Sequence, residues 1–105
     1  MTEGISLLEK WYVDRCNGDW EHHWGVNIGT LDNPGWTLDI DLNQTKAENR
    51  ALEHTKIERT ENDWIVYWVE KKEFKAAMGP ANLCEAIKIF CQWFDESGWI
   101  ARTTK

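Results

Sequence analysis

Three groups of residues in this chain of 105 are of types that could do chemistry. Asp19, Glu21, His22 and His23 crowd one short stretch, Asp39 and Asp41 alternate further on, and Cys16, Cys84 and Cys91 supply thiols. Imidazoles beside carboxylates suggest a metal site. No spacing matches a zinc or calcium loop, however. If the stretch is extended, His22 and His23 point to opposite faces and cannot ligate one ion together. Asp39 and Asp41 would share a strand face, as an acid–base pair does, but alternate residues on an exposed strand are polar by default. Cys16 precedes NGDWE, whose acids disfavour a thiolate. Cys84 and Cys91 lie seven residues apart in a helical pattern, about 10 Å along its axis, beyond the ~7 Å limit for a disulfide. The expectation is no catalytic residue, no metal ligand and no cofactor.

The elements that would position these groups follow from periodicity. Residues 5–16 read as an amphipathic helix with Ile5, Leu8, Trp11, Tyr12 and Cys16 on its stripe, and Asn17-Gly18 supplies a left-handed stop. Residues 22–30 read as a strand with Trp24, Val26 and Ile28 on one face and two glycines on the other. Asp32-Asn33-Pro34-Gly35 reads as a type II turn, with Pro34 at the first central position and Gly35 at the positive-φ one. The chain returns through Trp36, Leu38, Ile40 and Leu42, completing a hairpin. Residues 43–53 are polar and read as a loop. Residues 54–60 form a third strand, and Trp64 to Val69 a near-continuous apolar one, the mark of a strand covered on both faces. Residues 74–78 suggest a short edge strand. After Gly79-Pro80, Asn82 and Glu85 form a capping-box pattern for a helix with Leu83, Ile87, Phe90, Cys91 and Phe94 on its stripe. Gly98 would stop that helix, and Trp99 and Ile100 would fold back on it. The expected fold is α+β: an antiparallel sheet of four to five strands, with an N-terminal and a C-terminal helix on one face. Residues 1–105 are expected to form one domain.

Bulk properties narrow the function. Hydrophobic content of 42% and charged content of 29% are those of an ordinary globular protein. No apolar run approaches the ~20 residues of a membrane span, and the N-terminus lacks a signal-peptide pattern, so the cytoplasm is the expected address. Twelve basic against eighteen acidic residues give a net charge of −6. That opposes binding to nucleic acid or an anionic membrane, and suits solubility or a basic protein partner. Four of the eight tryptophans fall between Trp11 and Leu42. Asp19, Glu21, Asp32, Asp39 and Asp41 beside Trp20 and Trp36 describe aromatic anchors ringed by acid, the pattern of a protein-recognition patch. The same residues read equally well as structure, with Trp36 in phase with Leu38 in the sheet core and Trp20 under the helix end.

The run WYVDRCNGDWEHHWGVNIGTLDNPGWTLDIDL resembles the immunity protein 53 family of bacterial polymorphic toxin systems. The resembling elements are WY at 11–12, CNGDWEH at 16–22, TLDNPGW at 30–36 and IDL at 40–42, with Asp63-Trp64 and CQWFDESGW fitting less specifically. The resemblance implies a small cytoplasmic α+β protein that neutralises the toxin encoded beside it by binding, without catalytic residues. It carries over to Asp19, Trp20, Glu21, His22, Asp32, Asn33, Pro34, Gly35 and Trp36. With Asp39 and Asp41 added from the charge pattern, the expected contacts with a cognate toxin domain are Asp19, Trp20, Glu21, His22, Asp32, Trp36, Asp39 and Asp41. A second reading is a small-ligand module using Trp24, Trp36 and Trp68 as an aromatic platform. A third, an enzyme, would need a strongly perturbed titratable group in a cleft.

Overall fold

A computed structural model describes residues 2–95. In chain order the elements are α1 (Thr2–Arg15), α2 (Trp20–His23), β1 (Val26–Leu31), β2 (Gly35–Asp41), β3 (Thr55–Thr60), β4 (Asp63–Glu70), β5 (Glu73–Met78) and α3 (Leu83–Asp95). The strands form one antiparallel sheet in the order β1-β2-β5-β4-β3. The fold is α+β with an N-terminal and a C-terminal helix, as expected, and residues 73–78 supply the fifth strand, placed inside the sheet instead of at its edge. The expected stop at Gly98 and the packing of Trp99 and Ile100 lie outside the described residues.

Register decides which side chains meet the helices. Ile28, Leu38, Ala76, Tyr67 and Thr55 stand in one row across the five strands, and Val26, Ile40, Phe74 and Val69 in the next. Leu38, Ile40, Phe74, Met78 and Ile65 from this face are fully buried against Leu8 and Trp11 of α1 and Ala86, Ile87, Phe90, Trp93 and Phe94 of α3. The centre of this core is aromatic. Trp11 meets Trp20, Phe90 and Phe94 edge-on, with ring centroids 5.8, 5.1 and 5.4 Å away, the geometry that aromatic quadrupoles favour. α1 approaches α3 closely at Gly4, where a Cβ would press on Cys84. The connection between β2 and β3 runs on the helix side. Ala47 is buried in the core, and the Arg50 guanidinium donates to the Trp93 carbonyl and, at 3.4 Å, to that of Phe94, a favourable place for a cation at the end of a helix.

Four local expectations are revised. Residues 20–23 form one helical turn in place of the start of a strand, because Asn17 Oδ1 accepts from the Asp19 and Trp20 N–H groups, both at 2.9 Å. The Asn33–Pro34 peptide is cis, and Gly35 is the first residue of β2 with no positive φ. Gly35 is needed there for close approach, since a Cβ would collide with the Met78 carbonyl. Asn82 does precede α3, its carbonyl accepting from Ala86 N, but its side chain serves another end. Its Oδ1 accepts from Trp64 N at 3.3 Å, and its Nδ2 donates to Asp63 at 2.9 Å and Glu85 at 3.3 Å. Finally, β4 is not covered on both faces. The helices and most of the β2–β3 connection lie on one side, leaving Trp64, Val66 and Trp68 half-buried on the other, where His54 at the end of the connection stacks on Trp68.

Candidate functional site

The loop that carries Asp19, Trp20, Glu21 and His22 is held by its own hydrogen bonds. Gly18 takes φ +91°, as the left-handed stop required, and the Glu21 carboxylate accepts from the Asn17 and Gly18 N–H groups at 3.0 and 2.9 Å. Glu21's own backbone N–H, followed by those two, holds its carboxyl below the usual carboxylate range. Trp20 is 2% exposed, and its Nε1 donates to the Asn43 carbonyl at 2.9 Å. It leaves the set of candidate contacts: a ring closed under α1 offers a partner nothing to touch. Asp19 and His22 remain exposed.

Asp32 is exposed in the turn at the far end of the hairpin, separated from the α2 end by the length of β1, about 20 Å. Trp36 faces the helix side, half-buried, with Nε1 donating to the Pro80 carbonyl at 2.9 Å. Asp39 and Asp41 stand on the opposite, uncovered face. The eight expected contacts are therefore divided among two ends of a hairpin, the core and the uncovered face, and do not form one patch. The aromatic platform divides likewise. Trp24 and Trp36 pack against the core, while Trp68 stands on the other side of the sheet, so these three line no common pocket.

The uncovered face holds the more informative arrangement. Asp41, Glu73 and Glu70 occupy successive strands in register, a row of three adjacent carboxylates. In the next row Asp39, Lys75 and Trp68 stand side by side. Lys75 Nζ lies 3.3 Å from Asp39 and 3.1 Å from Glu73. Then come Gly29, Thr37, Ala77, Val66 and Lys56, a row of mostly small or aliphatic residues. Trp68 stacks on His54 with centroids 4.5 Å apart. A shallow depression of about 340 Å³ opens over Trp64 and Val66 between Lys56, Glu58 and Glu61. An apolar strip of Trp64, Val66 and Trp68 thus runs along β4 and ends at the acidic row, at Glu70. The sequence pattern paired acid with Trp20 and Trp36; on the uncovered face the tryptophans that stand near acid are Trp64 and Trp68. The signal that could have placed Trp64 and Trp68 on an uncovered face is arithmetic: helices of 14 and 13 residues cover one face of a five-stranded sheet and leave the second without a helix.

Like charges directly opposite one another on a sheet are destabilising, and Asp41 faces Glu73 across the β2–β5 pair. Burial pushes its carboxyl up, the Gly25 N–H at 2.9 Å works against that, and Glu73 pushes it up further. A carboxyl raised in the folded state binds more protons folded than unfolded, so its contribution to stability falls as pH rises through that window. Asp41→Asn keeps an acceptor for Gly25 and removes the repulsion. It is expected to raise the melting temperature at pH 7, with the gain narrowing as pH falls through the raised Asp41 value. Parallel melts of both proteins across the acid range test this; a gain that is absent at pH 7 rejects it.

Among the described residues no three His, Cys, Asp or Glu side chains could hold a metal ion, and no helix is long and apolar enough to cross a membrane. Burial first, and then Asp95, pushes the Cys91 thiol up to about 11, which makes it a poor nucleophile. No curated protein and no solved structure matches the chain. A model of the family described as immunity protein 53 matches residues 5–95, which includes every described strand, the hairpin and the aromatic core, and by that match the chain belongs to the immunity protein 53 family.

Proposed function

We propose that this chain, acting as one domain in the bacterial cytoplasm, neutralises the cognate toxin domain of a polymorphic toxin system. It does so by laying the uncovered face of its sheet over the toxin's active site. The observation that supports this face is the in-register row Asp41–Glu73–Glu70, at which the strip Trp64–Val66–Trp68 ends. Three carboxylates set side by side repel one another, an arrangement that a basic partner laid over them would relieve. Half-buried tryptophans supply the anchors, and the carboxylates supply steering toward a basic cleft such as one that binds nucleic acid. The action is binding, with no catalytic step.

Co-expression with the toxin domain encoded by the adjacent gene tests the proposal. Growth rescue together with co-purification of a stable complex is the expected result; a demonstrably toxic neighbour that is neither rescued nor bound rejects it. Within the complex, Asp39→Lys combined with Asp41→Lys is expected to slow association about 10-fold or more at low ionic strength, with the difference shrinking as salt is added. Stopped-flow association rates at two salt concentrations read this directly. Unchanged rates at low salt would remove those two residues from the interface.

A further inference from the structure

The two edges of the sheet are built differently. β3 carries Lys56, Glu58 and Arg59 and an irregular register between Glu58 and Thr60, the devices that keep an edge from pairing with another chain. β1, with sequence VNIGTL, has no charge, no proline and an unbroken register with β2. Its outward backbone groups can be assigned. Asp41 N donates to the Gly25 carbonyl at 3.1 Å, so the β1 residues that exchange hydrogen bonds with β2 are those in phase with Gly25, namely Asn27, Gly29 and Leu31. In an antiparallel ladder the alternate residues Val26, Ile28 and Thr30 then direct their N–H and C=O groups away from the sheet. Beside this edge, a groove of about 410 Å³ runs between α1 and β1, and Glu9 is the only charged residue among the described residues lining it. Ile5, Tyr12 and Ile28, which are 41%, 38% and 41% exposed, all line it; among the described residues the exposed large hydrophobics outside it reduce to Val13.

We infer that two copies of this chain pair through β1 about a two-fold axis perpendicular to the sheet at Ile28. In that register Ile28 stands opposite its own copy and Val26 opposite Thr30 of the second copy. Each of these pairs joins residues whose backbone groups point outward, so all exchange hydrogen bonds. Side chains opposite one another share a face, so both pairs of helices lie on the same side of a continuous ten-stranded sheet. The apolar grooves then abut, and Ile5 and Tyr12 of one copy approach the groove of the other. Charge selects the second copy as the occupant. On a chain of net charge −6, an uncharged edge is where two copies meet with least repulsion, and where a basic partner gains least from steering. The uncovered face proposed for the toxin is left free, so this pairing and the toxin reading stand or fall separately.

Sedimentation velocity on the full chain in reductant, over a range of concentrations, tests the pairing; the reductant removes any disulfide through the exposed Cys16. The expected species has the mass of two 12.4 kDa chains. Ile28→Lys, and separately Thr30→Lys, place a charge against the second copy and are expected to weaken the dimer about 100-fold or more while leaving the circular dichroism spectrum unchanged. Glu58→Lys on the opposite edge is expected to leave it intact. Native-state hydrogen exchange adds a second readout, with the Val26, Ile28 and Thr30 amides protected in the dimer and fast on dilution. A chain that is monomeric at every concentration overturns the inference. So does a dimer that survives both β1 variants, or β1 amides that gain protection only in a one-to-one toxin complex.

Discussion

Trp20→Ala is expected to destabilise the fold by about 3–5 kcal/mol, the cost of removing a buried aromatic side chain and leaving a cavity. Three losses combine at this position. The ring is 2% exposed and fills space under α1. It makes edge-on contacts with Trp11 at 5.8 Å and Tyr12 at 6.1 Å. Its Nε1 satisfies the Asn43 carbonyl, an acceptor in the partly buried connection after β2, and leaving that carbonyl without its donor adds to the cost. Small domains have only about 5–15 kcal/mol of stability in total. Denaturant titration should therefore show a midpoint close to zero denaturant, with the variant largely unfolded in cells. Any loss of toxin protection by Trp20→Ala would follow from that instability. A variant that melts like the parent yet binds toxin poorly would return Trp20 to the interface.

Trp20 also shows how far the sequence could be read. The motif GDWEH served as a family signature, and the surrounding acids suggested contacts. In the fold Gly18 provides a positive φ, Trp20 enters the core, and Glu21 ties down two backbone amides. Each keeps its residue type for a local or packing reason, and only Asp19 and His22 are left facing solvent. TLDNPGW behaves the same way: Gly35 permits a close approach to Met78 and Trp36 bonds to Pro80 across the sheet. Motifs of this kind identify a fold more reliably than a contact surface, because a loop built from special residues is specified by its own geometry. The α+β architecture was legible for a related reason. The alternation of residues 36–42 and the helical stripe from Leu83 to Phe94 are period signals that tertiary packing reinforces.

Other features were not legible because they are decided by which partner a polar side chain finds, near or far along the chain. The helix at residues 20–23 depends on Asn17 turning its side chain back on two amides, an alternative to strand pairing that polar side chains next to a turn offer locally. Asn82 has the spacing of a capping box, yet its side chain bonds Trp64, Asp63 and Glu85. There Arg59 completes a cluster, donating to Asp63 at 2.9 and 3.1 Å and to Glu85 at 2.6 Å. Only the assembled fold brings the β3–β4 turn to the start of α3. The same holds for the uncovered face. An apolar run such as Trp64–Val69 reads as doubly buried until the number of covering helices is counted.

Trp68→Ala is expected to weaken the toxin complex about 30- to 1000-fold, corresponding to about 2–4 kcal/mol for a hot-spot tryptophan, with most of the change in the dissociation rate. Its position decides this choice over Trp64. Trp68 lies in the same row as Lys75 and Asp39, next to the row Asp41–Glu73–Glu70, so a partner steered onto the carboxylates covers it. Trp64 stands farther along β4, over the depression beside Glu58 and Glu61. Trp68 is half-buried and packs on His54 at 4.5 Å instead of in the core, so its removal should cost the free protein far less stability than Trp20→Ala. The two kinds of residue then separate kinetically. Charge reversal at Asp39 and Asp41 acts on association and fades with salt, whereas Trp68→Ala acts on dissociation and persists at high salt, because apolar burial is not screened. Asp39 and Trp68 flank the same lysine, so the combined variant should also depart from additivity. A double-mutant cycle on the purified complex measures that departure. Additive effects would uncouple Trp68 from Asp39 within the interface, and a Trp68→Ala complex that dissociates at the parental rate would move the toxin off this face of the sheet.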